Sequence, residues 1–445
     1  METYIVRTFG CQMNKHDSER VAGLLGGQGL RAVADVTEAD VVVFMTCCVR
    51  ENADERLRGQ VKSLKSVKAG RPGQLIAVGG CIGQRDGETL LRQIPHIDVV
   101  FGTHNIDRLP ALIDGAQSER RPQVEILSGT ETFASELPTE REHPWHAWVP
   151  ITVGCDNYCT YCIVPYVRGR ERSRPMDAIV SEVSELRADG VLEVTLLGQN
   201  VNSYGRDLYG EPRFAEVLRA VAATGIERIR FATSHPKDLS ESTILAMSEL
   251  PAVMPYLHLP VQSGSDRVLK LMNRHYTNAD YRDLVGRIRE SIPDISLSTD
   301  VIVGFPGETD EDFAETLELV RDVGYDQAFT FIYSAREGTP AANLPEHVAR
   351  EISQERLERL VEVVQASAFE RSSSFIGTVQ PVLFEGTSKR DDHMLAGRAP
   401  NNRMVHVPLP DGHDASDYSA KILDVNIDGA QTWFLTGHLA GTDSE

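Results

Sequence analysis

The sequence predicts an α/β protein in three parts: an N-terminal doubly wound α/β domain, a central partial (βα)6 TIM-like barrel and a small C-terminal all-β barrel. Apolar runs of strand length alternate with helical segments over about the first 120 residues, as in parallel sheets covered by helices. Six further strand–helix repeats lie between about residues 146 and 370, too few for an eight-unit barrel. From residue 376 onward, short alternating strands are separated by turn-forming residues, which is typical of a small β-barrel.

The bulk composition is that of a globular protein, with 41% hydrophobic and 25% charged residues. No apolar run approaches the roughly 18 residues that a membrane span needs, and the N-terminus lacks the apolar segment of a signal peptide, so we expect a cytoplasmic protein with no membrane partner. The formal charge of −20 argues against nonspecific nucleic-acid binding but leaves room for a local basic patch.

The N-terminal domain is expected to consist of four strands and the helices between them. We predict a first helix over residues 17–25, capped by Asn14 or Asp17. The predicted strands cover residues 3–10, 39–46, 74–80 and 97–102, and a long polar helix begins at residue 51.

Three cysteines of this domain, Cys11, Cys47 and Cys81, each follow the end of a predicted strand. Ligands of open α/β sheets bind outside the carboxyl ends of the strands, so we expect the three thiols to converge. Buried cysteines also serve as small hydrophobic residues, but three in the same kind of turn favour a common site.

The predicted domain boundaries are 1–118 for the first domain, 119–140 for a linker, 141–372 for the barrel and 375–441 for the last domain. The linker is polar, contains proline and has no hydrophobic period. The barrel strands are predicted at 148–153, 193–198, 226–232, 254–260, 295–303 and 327–333. Helices are predicted at 177–188, 310–323 and 349–369.

The loop after the first barrel strand contains Cys155, Cys159 and Cys162 in the pattern Cys-x3-Cys-x2-Cys. Structural zinc generally takes four protein ligands, and no histidine follows this loop until His235. A [4Fe–4S] cluster suits three thiolates better, because it has four irons and leaves one free for a substrate or cofactor.

This loop, with an aromatic Tyr161 before its last cysteine, resembles the radical S-adenosylmethionine (SAM) superfamily. The chain also resembles the methylthiotransferase family over nearly its whole length. The stretches that carry this resemblance are TFGCQMNKHDSE, TCCVRENADE, VGGC, GCDNYCTYCIVPYVRGRERSR, LLGQNVNSYG, HLPVQSGSDRVLKLMNRHY and DVIVGFPGETDEDF. The resemblance is strongest to its bacterial branch that converts N6-(dimethylallyl)adenosine in tRNA to the 2-methylthio derivative.

The resemblance implies two [4Fe–4S] clusters and SAM as cofactors. Cys155, Cys159 and Cys162 would hold the cluster that binds SAM, and Cys11, Cys47 and Cys81 an auxiliary cluster. Relatives usually have Asn-Thr-Cys-Ser where this chain has Met45-Thr46-Cys47-Cys48; we take Cys47 as the ligand and leave Cys48 as the odd thiol. One SAM would supply the methyl group, a second would supply the radical, and C2 of the adenosine at position 37, next to the anticodon, would accept the methylthio group.

SAM contacts are predicted for four residues near the barrel strand ends, although an ordinary strand-end hydrogen bond is an equally good interpretation of each glutamine or aspartate. These residues are Tyr161, Gln199, Gln262 and Asp300.

RNA contacts are predicted for two basic stretches. The first, just past the cysteine loop, comprises Arg168, Arg170, Arg172 and Arg174, which would contact anticodon-loop phosphates or a substrate carboxylate; the alternative is a solvated salt-bridge network. The C-terminal segment resembles an RNA-binding TRAM domain, yet from residue 374 it has five Lys and Arg against ten Asp and Glu. A patch of Lys389, Arg390, Arg398 and Arg403 could still bind phosphates, or be a solvated surface.

The implied partners are the tRNA anticodon stem-loop, an electron donor and a sulfur or iron–sulfur supply system, and we expect a monomer. Two alternatives stay open. The same chemistry could act on threonylcarbamoyladenosine in tRNA or on an aspartate of a ribosomal protein, or the chain could be a non-catalytic iron–sulfur RNA-binding or electron-transfer protein. The open ligand position argues against the latter, since a carrier usually closes its cluster with a fourth cysteine.

Overall fold

The structure, a computed structural model, describes residues 1–47, 51–129 and 133–441. Cys48 lies outside the described residues. The chain divides into two compact units. Unit one comprises Met1–Tyr158, Cys162–Ile179 and Thr195–Gln199, and unit two comprises Cys159–Tyr161, Val180–Val194 and Asn200–Glu445.

Unit one contains a six-stranded parallel sheet in the order β2-β1-β3-β4-β5-β6. Its strands are β1 Thr3–Phe9, β2 Arg31–Ala32, β3 Val41–Thr46, β4 Leu75–Gly80, β5 Val99–Phe101 and β6 Gln123–Glu125. The helices are α1 Gln12–Gly27, α2 Glu51–Gly70, α3 Cys81–Asp86, α4 Glu88–Gln93 and α5 Leu109–Glu119, with 3-10 turns at Ile106–Arg108 and Ala134–Glu136.

The central strand β3 is buried on both faces, which makes the sheet doubly wound. Its odd-numbered residues, such as Val43, pack with Val21 of α1 and Ile113 of α5. Its even-numbered residues, such as Phe44, pack with Val61 of α2. Strands that are covered on both faces have continuous apolar sequences, which explains the VVVFM sequence of β3.

Two details of the N-terminal prediction are wrong. Helix α1 begins at Gln12, with Cys11 at its N-cap and no side-chain cap, so Asn14 and Asp17 are buried helical residues rather than caps. The stretch predicted as a linker contributes β6, which pairs in register with β5. A three-residue strand at a sheet edge carries too few residues for a hydrophobic period to be visible.

The predicted six-strand barrel pattern is confirmed, with shorter strands. These strands are β7 His146–Pro150, β10 Glu193–Leu197, β11 Arg228–Phe231, β12 Tyr256–His258, β13 Ser296–Val303 and β14 Gln327–Ile332, while β8 Thr152–Val153 and β9 Arg172–Ser173 pair beside the cysteine loop. In unit two, β12, β13 and β14 form a parallel sheet. In unit one, Ile151 donates its backbone N–H to the carbonyl of Leu197 at the end of β10.

The helices between and after these strands agree with the strand–helix repeat. They are α6 Val164–Arg168, α7 Met176–Ala188, α8 Arg206–Tyr209, α9 Phe214–Ala222, α10 Glu241–Glu249, α11 Asp266–Leu271, α12 Asn278–Ser291, α13 Asp310–Val323 and α14 Arg350–Ser373, with 3-10 turns at Val201–Ser203, Pro236–Asp238 and Pro340–Asn343. Helix α13 has the predicted bounds because Thr309 and Asp312 form a capping box at its start.

Unit two ends in the predicted all-β barrel. It is closed, with strand order β15-β16-β17-β19-β18. The strands are β15 Val379–Ser388, β16 Asp391–Arg398, β17 Met404–Pro408, β18 Ile422–Ala430 and β19 Phe434–Leu439, with a 3-10 turn at Ala415–Asp417. In the part of the chain that the structure describes, no helix is long and apolar enough to cross a membrane.

Candidate functional site

The sheet register brings Cys11, Cys47 and Cys81 to one edge of the N-terminal sheet. Phe9, at the end of β1, pairs with Thr46, at the end of β3, which in turn pairs with Gly80, at the end of β4. The cysteines follow these three residues within two positions, and the backbone N–H of Cys47 donates to the Phe9 carbonyl at 3.0 Å. Alignment of neighbouring strand ends is what makes residues distant in sequence converge here.

Cys11 and Cys47 are in direct contact. A hydrogen bond with the Cys47 thiol lowers the pKa of Cys11 to about 6; burial opposes this, and the positive charge of Arg168 adds to it. Gly10 makes the approach possible, since a Cβ there would lie 2.2 Å from the Cβ of Cys47, and its φ of +119° excludes most other residues. The contact with Cys47 therefore favours the thiolate form of Cys11.

Cys81, the first residue of α3, is buried and packs against Ile163 and Val167. Ile163 is the N-cap of α6 and Val167 lies within this helix, which begins two residues after Cys162. Within unit one, the Thr103 hydroxyl also donates to the Val167 carbonyl at 2.9 Å. The segment after the Cys155–Cys162 loop is thus anchored beside the N-terminal cysteines.

The described part of the chain contains no site for a single metal ion at these cysteines. Nowhere in the described ranges do three or more His, Cys, Asp or Glu side chains gather as ligands of one metal ion. A [4Fe–4S] cluster places each cysteine on a different iron and so needs thiols set further apart than the corners of one tetrahedral ion. The three cysteines share one sheet edge, and the contact of Cys11 with Cys47 favours the thiolate form that binds metal.

The loop of Cys155, Cys159 and Cys162 crosses from unit one to unit two and back. In unit one, Gly154 has φ +83°, and a Cβ there would lie 2.1 Å from the Arg170 carbonyl, so glycine is required. The Gly154 N–H donates to Oε1 of Gln199 at 2.8 Å. Gln199, predicted to contact SAM, therefore uses this oxygen to hold the cysteine loop.

In unit two, Cys159 is held by an arginine that the sequence reasoning missed. Arg274, buried, donates from Nη1 to the Cys159 Sγ at 3.5 Å and from Nη2 to the Pro260 carbonyl at 2.6 Å, and its Nε donates to the Tyr276 hydroxyl at 2.9 Å. Thr160 is fixed by hydrogen bonds to the carbonyls of Leu271 and Met272. No spacing rule links residue 274 to residue 159, so only the fold brings them together.

The other residues predicted to contact SAM lie in unit two. Tyr161 is half-buried against the apolar cluster that contains Phe305. Gln262 is buried with φ +72° and bridges to β13 through its backbone. The Asp300 carboxylate lies 3.6 Å from the imidazole of His258. Whether they contact SAM stays a prediction.

Three further buried polar residues of unit two lie in the segments that follow β10 and β11 and were not predicted. The side-chain amide of Asn202, the Ser234 hydroxyl and Nε2 of His235 have no hydrogen-bond partner within the described residues, although each side chain is at most 5% exposed. Burial, together with the nearby charges of Arg274 and Lys237, lowers the pKa of His235 far below its usual range. Its Nδ1 accepts from the Lys237 N–H, so the neutral ring carries its proton on Nε2.

The run of four arginines divides into buried and accessible members. Arg168 is 5% exposed, and its guanidinium donates to Asp17 at 3.0 Å and to Asn14 at 3.1 Å. Arg174 is also buried and donates to the Pro150 carbonyl at 2.8 Å. For these two, the predicted contact with anticodon-loop phosphates or a substrate carboxylate is at odds with the structure, because their guanidinium groups are buried and already bound.

Arg170 and Arg172 are the members that remain accessible. Arg170 is exposed and forms an ion pair with Asp156 at 2.7 Å. Arg172 lies over the Phe133 ring at 4.7 Å and lines, with His104 and Arg168, a cavity in unit one.

In the C-terminal barrel, Lys389 and Arg390 are exposed between β15 and β16. Arg398 pairs with Glu385 at 2.9 Å. Arg403 is wrong as a member of the predicted surface patch, since it is buried and pairs with Asp326 at 2.5 Å.

Three family models match the chain. Residues 3–102 match the uncharacterized protein family UPF0004, residues 149–320 the radical SAM superfamily and residues 373–440 the TRAM domain.

Similar proteins include several that carry the name tRNA-2-methylthio-N(6)-dimethylallyladenosine synthase. One from Acidothermus cellulolyticus is 52% identical over 92% of this chain and 83% of its own. One from Thermobifida fusca is 50% identical over 92% and 84%, and one from Acetivibrio thermocellus is 47% identical over 98% and 90%.

Among solved structures, one similar to this chain is the radical SAM methyltransferase TsrM from Kitasatospora setae, with cobalamin and a [4Fe–4S] cluster bound. The TM-score is 0.53 and the identity 14%, over 77% of each chain. The cobalamin-dependent radical SAM enzyme OxsB is similar with a TM-score of 0.51 and 13% identity, over 81% of this chain and 56% of its own. At such low identity these similarities concern the fold alone.

Proposed function

The chain belongs to the radical SAM methylthiotransferase family whose members are named tRNA-2-methylthio-N(6)-dimethylallyladenosine synthase, and from this premise we propose its reaction. We propose that it methylthiolates C2 of N6-(dimethylallyl)adenosine at position 37 of tRNA, with one SAM as methyl donor and a second as radical source. The observation that carries the proposal is the 47–52% identity to relatives of that name over at least 83% of their length.

The reaction explains why the chain needs metal chemistry. The C2–H bond of adenine is unactivated, so acids and bases at neutral pH do not readily open it. When bound, a [4Fe–4S] cluster with a cysteine-free iron supplies the electron that cleaves SAM, and a second supplies iron that can hold sulfur.

Cys155, Cys159 and Cys162 are the proposed ligands of the SAM-binding cluster. Gln199 fixes the start of their loop through Gly154, and Arg274 fixes Cys159 and offsets its negative charge. A guanidinium held by three acceptors loses little further freedom when the thiolate binds iron.

Cys11, Cys47 and Cys81 are the proposed ligands of a second cluster. The low pKa of Cys11 means that little free energy is needed to deprotonate it, and deprotonated thiols are the form that binds metal. Cys47 and Cys81 occupy equivalent positions after β3 and β4.

Asn202, Ser234 and His235 are proposed to bind a nucleoside. They offer neutral donors and acceptors without partners among the described residues, and a buried polar group without a partner costs roughly 1–3 kcal/mol. A ligand with a base edge or ribose hydroxyls would recover that cost. Because the His235 imidazole stays neutral, its proposed role is hydrogen bonding rather than acid–base catalysis.

Arg170, Arg172, Lys389 and Arg390 remain the proposed tRNA contacts, with Arg168 and Arg174 removed from the set. The target base must leave its stack to reach a buried site, and loop bases of RNA do so at modest cost. Because tRNA is the proposed substrate, we propose a cytoplasmic location. We also propose that the chain is a monomer and is served by an electron donor and a sulfur supply system.

The test is an acceptor comparison with anaerobically reconstituted protein, SAM and reductant. Three acceptors are supplied separately: tRNA carrying dimethylallyladenosine, tRNA carrying threonylcarbamoyladenosine, and a ribosomal protein with the candidate aspartate. We expect a methylthio product only on the first. A product on either other acceptor would reassign the substrate, and clusters without SAM cleavage would indicate a non-catalytic iron–sulfur protein.

Triple variants separate the two cysteine sets. Replacing Cys155, Cys159 and Cys162 by alanine should abolish 5′-deoxyadenosine formation and leave roughly four irons per chain, against roughly eight in the wild type. Replacing Cys11, Cys47 and Cys81 should also leave roughly four irons but keep 5′-deoxyadenosine formation. About four irons in the wild type would contradict the second cluster.

A further inference from the structure

Arg168 is a buried cation that the proposed reaction leaves without a role. It ends α6, the short helix after the Cys155–Cys162 loop, and it is 5% exposed. Burying an arginine is costly unless it is paired and hydrogen-bonded. What surrounds this guanidinium therefore indicates what it does.

The partners of Arg168 belong to the helix that begins at Cys11. Its Nη2 donates to Asn14 Oδ1 at 3.1 Å and to Asp17 Oδ2 at 3.0 Å. Asn14 in turn donates from Nδ2 to the Phe9 carbonyl at 3.1 Å, and its backbone N–H donates to the Cys11 carbonyl at 3.1 Å. The arginine thus fixes two residues of the helix after Cys11, and one of them, Asn14, also binds the chain before Cys11.

Beyond these bonds, Arg168 lies within electrostatic range of two of the predicted cluster cysteines. Burial opposes the charge of Arg168, but the nearby Cys81, Asp17 and Cys11 outweigh burial, so the pKa of Arg168 lies well above its usual value. Ile163, the N-cap of α6, and Val167 of α6 pack against Cys81. A permanent positive charge is therefore built into the N-terminal cysteine site from the other cysteine motif.

We propose that Arg168 is a positioning residue for the N-terminal cysteine set. It holds Asn14 and Asp17 on the helix after Cys11. It also supplies a fixed positive charge beside Cys11 and Cys81, and this charge sets the reduction potential of the cluster that they hold. This rests on the proposed second cluster. A nearby cation stabilises the reduced, more negative cluster and so raises its potential, whereas a nearby anion such as Asp17 lowers it.

The experiment measures the reduction potential of the N-terminal cluster alone. In full-length chain with Cys155, Cys159 and Cys162 replaced by alanine and reconstituted anaerobically, the midpoint is read from a redox titration followed by electron paramagnetic resonance. In this background, Arg168→Gln should lower the equilibrium constant for reduction at least tenfold, which is about 59 mV for one electron. Arg168→Lys should recover most of the shift, because it keeps the charge.

Two matched variants distinguish electrostatics from general damage. Asp17→Asn removes the opposite charge from the same ion pair and should shift the potential in the opposite direction, upward. Arg121→Gln removes an exposed arginine of the same unit and should leave the potential unchanged. Where Arg168→Gln fails to fold, Arg168→Lys and Asp17→Asn carry the same test.

The inference is overturned if Arg168→Gln keeps its roughly four irons and its potential, or if Asp17→Asn shifts the potential in the same direction as Arg168→Gln. A parent variant that binds no iron would instead overturn the proposed second cluster. The two failures are therefore distinguishable.

Discussion

Asp326 joins the C-terminal barrel to the rest of unit two through a buried ion pair. Replacing Asp326 should lower the free energy of opening of this barrel by an amount that follows from the structure. Its Oδ1 accepts from Nη2 of Arg403 at 2.5 Å and from the Ser296 hydroxyl at 3.1 Å, and its Oδ2 accepts from the N–H of Leu297 at 2.8 Å. The side chains of Asp326 and Arg403 are each 6% exposed.

Replacing Asp326 by asparagine keeps the shape of the side chain but leaves Arg403 as a buried charge without its counter-ion. Arg371, 3.7 Å from the same carboxylate, is also cationic and worsens the imbalance. Breaking a buried ion pair from one side typically costs about 3–5 kcal/mol. The C-terminal barrel should therefore open more readily by about that free energy.

Hydrogen exchange followed by mass spectrometry measures this locally, on peptides of β15 to β19. A loss of about 3 kcal/mol corresponds to exchange roughly a hundredfold faster or more. The matched control is Asp322→Asn, whose partner Arg282 lies at the surface and whose pair should contribute about 0–1 kcal/mol. Equal exchange in the two variants would refute the assigned role of Asp326.

Three other outcomes follow from single sites. Burial raises the pKa of Glu19 to about 7. The folded state therefore binds this proton more tightly than the unfolded state, and the free energy of unfolding falls as pH rises from about 4.5 to 7. In Glu19→Gln, thermal unfolding should show this fall reduced by roughly 3 kcal/mol. Gly10→Ala should force Cys11 and Cys47 apart, because its Cβ would lie 2.2 Å from that of Cys47, and leave roughly four irons per chain. Arg170→Gln should weaken tRNA binding and lower the slope of log K against log salt concentration by about 1.

Each of these predictions has an outcome that would contradict it. A pH profile of stability that Glu19→Gln leaves unchanged would contradict its assignment. Gly59→Ala, in an open part of α2, should keep the full iron content, and equal losses in both glycine variants would argue against a local clash. Arg121→Gln removes another exposed arginine that has its own carboxylate partner, and a salt slope that falls equally in this variant would contradict a specific role of Arg170.

Much of the fold is predictable because the signals are long or local. Continuous apolar runs identify β3 and β4, and the capping box Thr309–Asp312 fixes the start of α13. The convergence of Cys11, Cys47 and Cys81 follows from the rule that parallel strand ends share an edge. For these features, a local pattern or a general rule of sheet topology is enough to predict the structure.

The errors arise where distant residues decide. Asn14 and Asp17 have the composition of helix caps, but Arg168, more than 150 residues away, holds them inside α1. A run of arginines cannot reveal which members are buried, because Asp17 and the Pro150 carbonyl bind two of them from elsewhere. Likewise, Arg274 has no sequence signal, since its partner Cys159 is reached only through the barrel.

The most direct test of the account is the mass of the nucleoside formed from dimethylallylated tRNA. Reconstituted wild-type protein with SAM and reductant should convert N6-(dimethylallyl)adenosine to its 2-methylthio derivative and leave tRNA lacking the dimethylallyl group unchanged. Each triple-cysteine variant should give none of this product. A methylthio product made equally without the dimethylallyl group, or made by the variant that lacks Cys11, Cys47 and Cys81, would contradict the account.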